Sequence, residues 1–130
     1  LFENYGVKSK KFKLKKTKLN LKKFDDLKIN DDICFFKIDV EGLDHLVIYG
    51  MKAYINKYFP VILVEYNHSN FEKIYEFLQK NYDCFFYDFL KNKLHKLNVS
   101  EIDKLKSGKI IENIFKKNSV NIFFKKKINY

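Results

Sequence analysis

Apolar residues follow two different patterns in the middle of the chain. Continuous apolar runs predict buried strands at Ile33–Val40, Val61–Tyr66 and Cys84–Leu90. Between these runs, apolar residues spaced three and four positions apart predict amphipathic helices over Leu43–Tyr58 and Asn70–Asn81. The predicted order is therefore strand, helix, strand, helix, strand.

Such an order indicates an α/β fold. Strand–helix–strand crossovers are right-handed and join parallel strands, so residues 31–90 predict a βαβαβ core with a mostly parallel sheet flanked by helices. Continuous apolar strands fit a sheet covered on both faces. With only two crossover helices, however, we expect one face of the sheet to be poorly covered. A capping-box signal at Ser69–Glu72 opens the second helix. Gly50 lies on the apolar stripe of the first helix, where we expect it to let the helix lie close to the sheet.

The segments on either side of this core are more polar. Residues 1–30 include the lysine-rich stretch Lys8–Lys23, whose alternating apolar residues predict one or two edge strands with lysines on the solvent face. In residues 91–130, a capping signal at Ser100–Asp103 predicts a short helix, and Val120–Phe124 predicts a final strand. We expect the three parts to form a single, partial domain.

The composition adds charge without pointing to a clear partner. All 26 basic residues are lysines, and the formal net charge at pH 7 is +10. Arginine is the usual residue for bidentate contacts to phosphate and guanine, so its absence argues against nucleic acid. We interpret most of the charge as a solvated surface, with a polyanion bound by Lys8–Lys23 as the alternative.

The cysteines and the length of the apolar runs bear on location. Cys34 and Cys84 both lie in apolar runs, which indicates buried, reduced thiols. We find no signal peptide and no apolar run long enough to span a membrane. These features predict a cytoplasmic protein without a transmembrane segment.

Acidic residues follow two of the predicted strands. Asp39 and Glu41 come at the end of the first strand and Glu65 at the end of the second, where α/β folds bind their ligands. The structural alternative is that acids here stabilise the start of a helix. Asp39 and Glu65 offer oxygen ligands for a divalent cation, although two carboxylates are few for a metal site, and we assign none. His68, in the following loop, is either a proton acceptor or an ordinary loop histidine.

Several segments together resemble the FkbM family of S-adenosylmethionine-dependent methyltransferases. The densest match is CFFKIDVEGLD from Cys34 to Asp44, followed by VIYGM at Val47–Met51 and PVILVE at Pro60–Glu65. Upstream, LKKFDDL at Leu21–Leu27 resembles the leucine-aspartate-aspartate-leucine element of that family. Near the end, NIFF at Asn121–Phe124 resembles its last strand.

The resemblance implies a fold, a cofactor and roles for the acids. It implies a Rossmann-like methyltransferase fold that transfers a methyl group from S-adenosylmethionine to a hydroxyl of a sugar or another small metabolite. Methyl transfer to a hydroxyl is helped by a base that accepts its proton. On this hypothesis Glu41 is the base, Asp39 contacts cofactor or substrate, and Glu65 and His68 line the same crevice.

The glycines mark the departure from the family pattern. A glycine-rich turn after the first strand lets backbone approach the cofactor closely, but the 4 glycines of this chain are widely spaced. We therefore expect the chain, which starts at Leu1, to lack the N-terminal, glycine-rich half of the fold and to need that missing part of the same polypeptide. Alternatively it is a non-catalytic remnant or a basic interaction module that binds a polyanion.

Overall fold

A computed structural model describes residues 17–88, 91–109 and 120–128 of the protein. A short 3-10 helix at Phe24–Leu27 precedes the strands and α-helices. The strands are β1 (Phe35–Ile38), β2 (Val61–Glu65), β3 (Tyr82–Asp88), β4 (Lys93–Lys96) and β5 (Asn121–Lys126). The helices are α1 (Asp44–Gly50), α2 (Lys52–Tyr58), α3 (His68–Leu78) and α4 (Val99–Lys106).

The five strands form one mixed sheet in the order β1-β2-β5-β3-β4. β1 and β2 are parallel neighbours, with Phe35 opposite Val61 and Ile38 opposite Val64. The parallel pairing predicted for the first two strands is thus confirmed. The other three pairings are antiparallel, so the prediction of a mostly parallel sheet is wrong.

A parallel βαβαβ core would place β3 beside β2, and this expectation is also wrong, because β5 lies between β2 and β3. β3 does run in the same direction as β1 and β2, since β5 is antiparallel to both β2 and β3. Crossover rules set a strand's direction but leave its neighbours open. The alternate residues Ile122 and Phe124 of β5 are each only 1% exposed, a burial that a position inside the sheet provides.

One face of the sheet, which we call the closed face, is covered by the helices. Its side chains pack with the apolar side chains of α1 to α4 in a single hydrophobic core. The strand residues of this face occupy alternate positions and are buried or nearly so. They are Phe36, Ile38, Ile62, Val64, Tyr82, Cys84, Phe86, Ile122 and Phe124.

The opposite face, which we call the open face, is only partly shielded from solvent by the described residues. Leu63, Phe123 and Phe85 lie in register across its centre and are partly buried, while Phe35 at one side is 45% exposed. Both crossovers, from β1 to β2 and from β2 to β3, move across the sheet in the same direction. Right-handed crossovers of that kind place all their helices on one face. The poorly covered face that the small number of elements predicted is therefore the open face.

The predicted helix Leu43–Tyr58 is two helices, which break at Met51. Met51 has a φ of −120° and its side chain does not cap α2. Asp25 supplies the cap instead, because its carboxylate accepts hydrogen bonds from the backbone N–H groups of Ala53 and Tyr54 at 2.9 and 3.0 Å. The break was missed because apolar spacing continues through it, whereas the cap comes from a distant segment.

The segment before β1 packs against the chain where α1 ends and α2 begins. Gly50 faces the backbone of Lys23, since a Cβ added at Gly50 would lie 3.6 Å from the Cα of Lys23. Its predicted approach to the sheet is therefore wrong. Phe24 packs edge-on against Phe36 and Tyr54, with ring centroids 5.2 and 5.1 Å apart. The short 3-10 helix thereby joins β1 to α2.

Other boundaries differ from the predictions by a few residues. α3 begins at His68, and the side chain of Asn67 caps it in place of the predicted Ser69–Glu72 box. α4 does carry a capping box, formed by Asn98 and Glu101. β4 was not predicted, because its sequence, KLHK, is mostly polar.

Two predicted strand segments are only partly covered by the described residues. Residues 17–23 form no strand, while the rest of Lys8–Lys23 lies outside the described residues, as do the predicted strand ends at 89–90.

Cys34 is exposed and only Cys84 is buried, because Cys34 precedes β1. In the described part of the chain, every helix is too short or too polar to cross a membrane.

The cap on α2 generates a stability prediction. Replacing Asp25 by alanine leaves two N–H groups of the first turn without their acceptor, so we expect the free energy of unfolding to fall by about 1 kcal/mol. Asp26→Ala is the matched control, since Asp26 is exposed and makes no side-chain hydrogen bond among the described residues. Urea unfolding measures both, and equal losses in the two variants would contradict the assignment of the cap.

Candidate functional site

The parallel pairing of β1 and β2 brings the ends of both strands to one edge of the sheet. The last paired residues are Ile38 and Val64, so the register, continued by one position, sets Asp39 beside Glu65. The alternation of side chains places both carboxylates on the side of the open face. Two of the predicted site residues thus come together as the sequence indicated.

Lys37 lies with these two acids. Its Nζ is 2.6 Å from Oδ2 of Asp39, and the two side chains are 56% and 42% exposed. The hydrogen bond from Lys37 to Asp39 and the charge of Asp39 raise the pKa of Lys37, and the charge of Glu65 raises it further. Lys37 and Asp39 are two positions apart and therefore lie on the same side of the chain, which explains the pair.

A tight turn follows Asp39 and carries Glu41. The N–H of Leu43 donates to the carbonyl of Val40 at 3.2 Å, closing a four-residue turn. Its two central residues, Glu41 and Gly42, have φ values of +48° and +90°, the pattern of a type I′ turn. Gly42 adopts this conformation readily, but in Glu41 it is strained by about 1–2 kcal/mol.

Two buried polar side chains support this turn. Asp44, 3% exposed at the start of α1, accepts a hydrogen bond from the N–H of Val40 at 3.3 Å. Asn70 of α3 is also 3% exposed, and its Nδ2 lies 3.8 Å from where a Cβ on Gly42 would be. This Nδ2 has no hydrogen-bond partner among the described residues, which costs about 1–3 kcal/mol for a buried donor.

His68 lies at the same edge but in a different environment. As the first residue of α3, it packs against Gly108, where an added Cβ would come within 3.0 Å of the imidazole ring. Gly108 has a φ of +71° and permits this close approach. Within the described residues, neither His68 nor Glu41 forms a hydrogen bond to Asp39 or Glu65.

The arrangement favours contacts to hydroxyl and cationic groups. Exposed carboxylates accept hydrogen bonds from hydroxyls and attract positive charge. Among residues 17–88, 91–109 and 120–128, no group of three or more histidine, cysteine, aspartate or glutamate side chains is placed to bind a metal ion. The ammonium of Lys37 instead pairs with Asp39, and the charge of Glu65 acts on it from the neighbouring strand.

Sequence reasoning missed two of the residues that shape the site. Asp44 belongs to the resemblance but was given no role, although an acid in the first turn of a helix is a recognisable signal. Asn70 was interpreted as part of a capping box, and nothing in its local sequence distinguishes it from an exposed helix-start residue. Its burial against the Gly42 turn depends on the packing of α3 beside α1.

Comparisons with known proteins identify the family. The model of the methyltransferase FkbM domain matches residues 4–86, nearly two thirds of the chain. The match includes β1, the Glu41–Gly42 turn and β2, and it ends within β3, so the resemblance of Asn121–Phe124 to a last family strand stays a prediction. Comparison with curated proteins and with solved structures gave no match. On the strength of the family match, the chain belongs to the methyltransferase FkbM domain family.

Proposed function

We propose that this protein is part of an enzyme that transfers a methyl group from S-adenosylmethionine to a hydroxyl of a sugar or another small metabolite. The observation that carries the proposal is the parallel register of β1 and β2, which brings Asp39 and Glu65 to the same carboxyl edge of the sheet. Ligands of α/β folds bind at this edge. The family match supports methyl transfer as the reaction.

The open edge of β1 supports a ligand site that a second half of the sheet completes. Among the described strands, β1 has β2 as its one neighbour. The N–H of Val61 donates to the carbonyl of Cys34, so alternation turns the backbone groups of Phe35 and Lys37 toward the open edge. In a doubly wound sheet the second half extends from such an edge and its helices cover the other face.

With a second half extending from β1, the end of β1 would be the place where the winding direction reverses. Ligands of doubly wound sheets bind in the crevice at that switch point. We infer that an N-terminal, glycine-rich half extends the sheet from β1 and that the acceptor binds beside Asp39 and Glu41. The same half would cover the open face.

The described residues fit the sulfonium and ribose of S-adenosylmethionine. The exposed carboxylate of Asp39 and the partly exposed carboxylate of Glu65 suit the positive charge of the sulfonium and the hydroxyls of the ribose. The glycines at 42, 50 and 108 lie at separate places in the fold, so the close backbone cradle has to come from the N-terminal half. Bound there, the cofactor supplies an electrophilic methyl group.

The chain's own residues then orient the acceptor and accept its proton. Asp39, held by Lys37, accepts a hydrogen bond from a hydroxyl or attracts the cationic end of the cofactor. Glu41, exposed on the turn, would accept the proton of the acceptor hydroxyl. His68 is the second candidate for this base, further along the same edge.

The polyanion-binding alternative rests on the lysine-rich stretch. Only residues 17–23 of Lys8–Lys23 belong to the described chain, and they are exposed and without regular structure. This alternative stays a prediction from the sequence.

Charge removal at the two acids tests the proposed roles. In the methyl-transferring enzyme, Glu41→Gln removes the base, so turnover should fall roughly 10²–10⁴-fold while the melting temperature hardly changes. Asp39→Asn should chiefly raise the KM for cofactor or acceptor. Methyl-transfer kinetics beside thermal melting measure both, and full activity in both variants would overturn the functional reading of this pair.

The strained turn generates a separate prediction of stability. Glu41→Gly relieves the positive φ at the cost of added freedom in the unfolded chain, so the free energy of unfolding should rise by about 0.5–1 kcal/mol. Glu41→Gln is the matched control, since it keeps the strain and removes the charge. Denaturant unfolding compares them, and a glycine variant no more stable than the glutamine variant would show that the turn is unstrained.

A further inference from the structure

The row of residues across the open face has a lysine at each end. Lys37 pairs with Leu63, Leu63 with Phe123, Phe123 with Phe85, and Phe85 with Lys96. Each terminal lysine is bound to an aspartate: Lys37 to Asp39 at 2.6 Å and Lys96 to Asp83 at 2.7 Å. The two ion pairs are alike in length and in lysine exposure.

The two pairs differ in what surrounds them. Lys37 lies at the carboxyl edge and interacts with a second acid, Glu65, on the neighbouring strand. Asp39 and Glu65 are adjacent in register, and two neighbouring carboxylates without a cation between them repel each other. Oxygen ligands in that arrangement are the kind that bind Ca²⁺, Mg²⁺ or Mn²⁺.

We propose that Lys37 is a positioning residue whose ammonium, bound to Asp39, offsets the negative charge that the strand register brings together at Asp39 and Glu65. It holds Asp39 at the crevice and leaves the three groups with one net negative charge. The inference rests on the proposed function only for the identity of the ligand that binds beside these charges. The pairing itself belongs to the fold.

The ammonium also sets which ligands the crevice accepts. One net negative charge attracts a monovalent cationic group such as a sulfonium, whereas two would favour a small divalent ion. Lys37 lies within a strand, so its backbone position is fixed while its side chain reaches along the open face. Its role is therefore to tune the charge of the site without touching the reacting atoms.

The test is a titration with Mn²⁺, which reports on the carboxylates without methyl transfer. Lys37→Met keeps the length of the side chain and removes its charge, so the protein should bind Mn²⁺ at least about tenfold more tightly than the parent. Lys96→Met is the matched control and should leave Mn²⁺ affinity unchanged, because a single aspartate remains there. Electron paramagnetic resonance of free Mn²⁺ measures the binding.

The outcomes separate the two proposals. Added Mn²⁺ affinity in Lys37→Met that disappears in the double variant Lys37→Met/Glu65→Gln supports the inference. No gain, or an equal gain in Lys96→Met, overturns it. Thermal melting of each variant confirms that it is folded, and Lys37→Arg, which keeps the charge, should retain the parent's low affinity.

A kinetic readout then tests the link to methyl transfer. In the active enzyme, Lys37→Met should raise the KM for S-adenosylmethionine with little change in kcat, and Lys37→Arg should restore it. A gain in Mn²⁺ affinity without any methyl transfer by the parent enzyme would refute the proposed function while leaving the role of Lys37 intact. A fall in kcat alone would contradict the positioning role.

Discussion

Packing of every described helix on one face of the sheet is the constraint on which the rest of the structure depends. Ile62, Val64, Ile122 and Phe124, each at most 1% exposed, form the floor of that core. Burying such side chains contributes about 1.5–3 kcal/mol each. The same packing leaves the open face and the outer edge of β1 without a covering layer among the described residues, and the candidate site lies at that edge.

The chemistry at this edge follows from strand direction. Because β1 and β2 are parallel, the residues that end them are neighbours, and in this chain those residues are acids. Lys37, two positions before Asp39 and on the same side of β1, compensates their charge. The Glu41–Gly42 turn then reverses the chain at once and leaves the side chain of Glu41 exposed to solvent.

The local sequence pattern was sufficient to predict the part of the fold that carries the candidate site. The apolar runs of β1 and β2, with a helical region between them, fixed their parallel pairing through the handedness of crossovers. The acids at their ends were visible in the sequence, as was the family resemblance that the domain match confirms. These features depend on residues close together in the chain.

Features that depend on distant residues were missed. Nothing within Asn121–Lys126 specifies that it pairs between β2 and β3, because that choice depends on how the finished core is filled. The break at Met51 depends on a cap from Asp25, and the burial of Asn70 depends on helix packing. The place of the Lys37–Asp39 pair beside Glu65 required the register of two strands as well as the sequence of one.

The central claim is that this chain forms one half of a ligand site whose other half extends from β1. Calorimetric titration of S-adenosylmethionine tests it most directly, with the 130-residue chain compared with a longer polypeptide that carries a glycine-rich half before Leu1. The account predicts weak or undetectable binding by the chain alone and clear binding by the longer polypeptide. Tight binding by the 130 residues alone would contradict it.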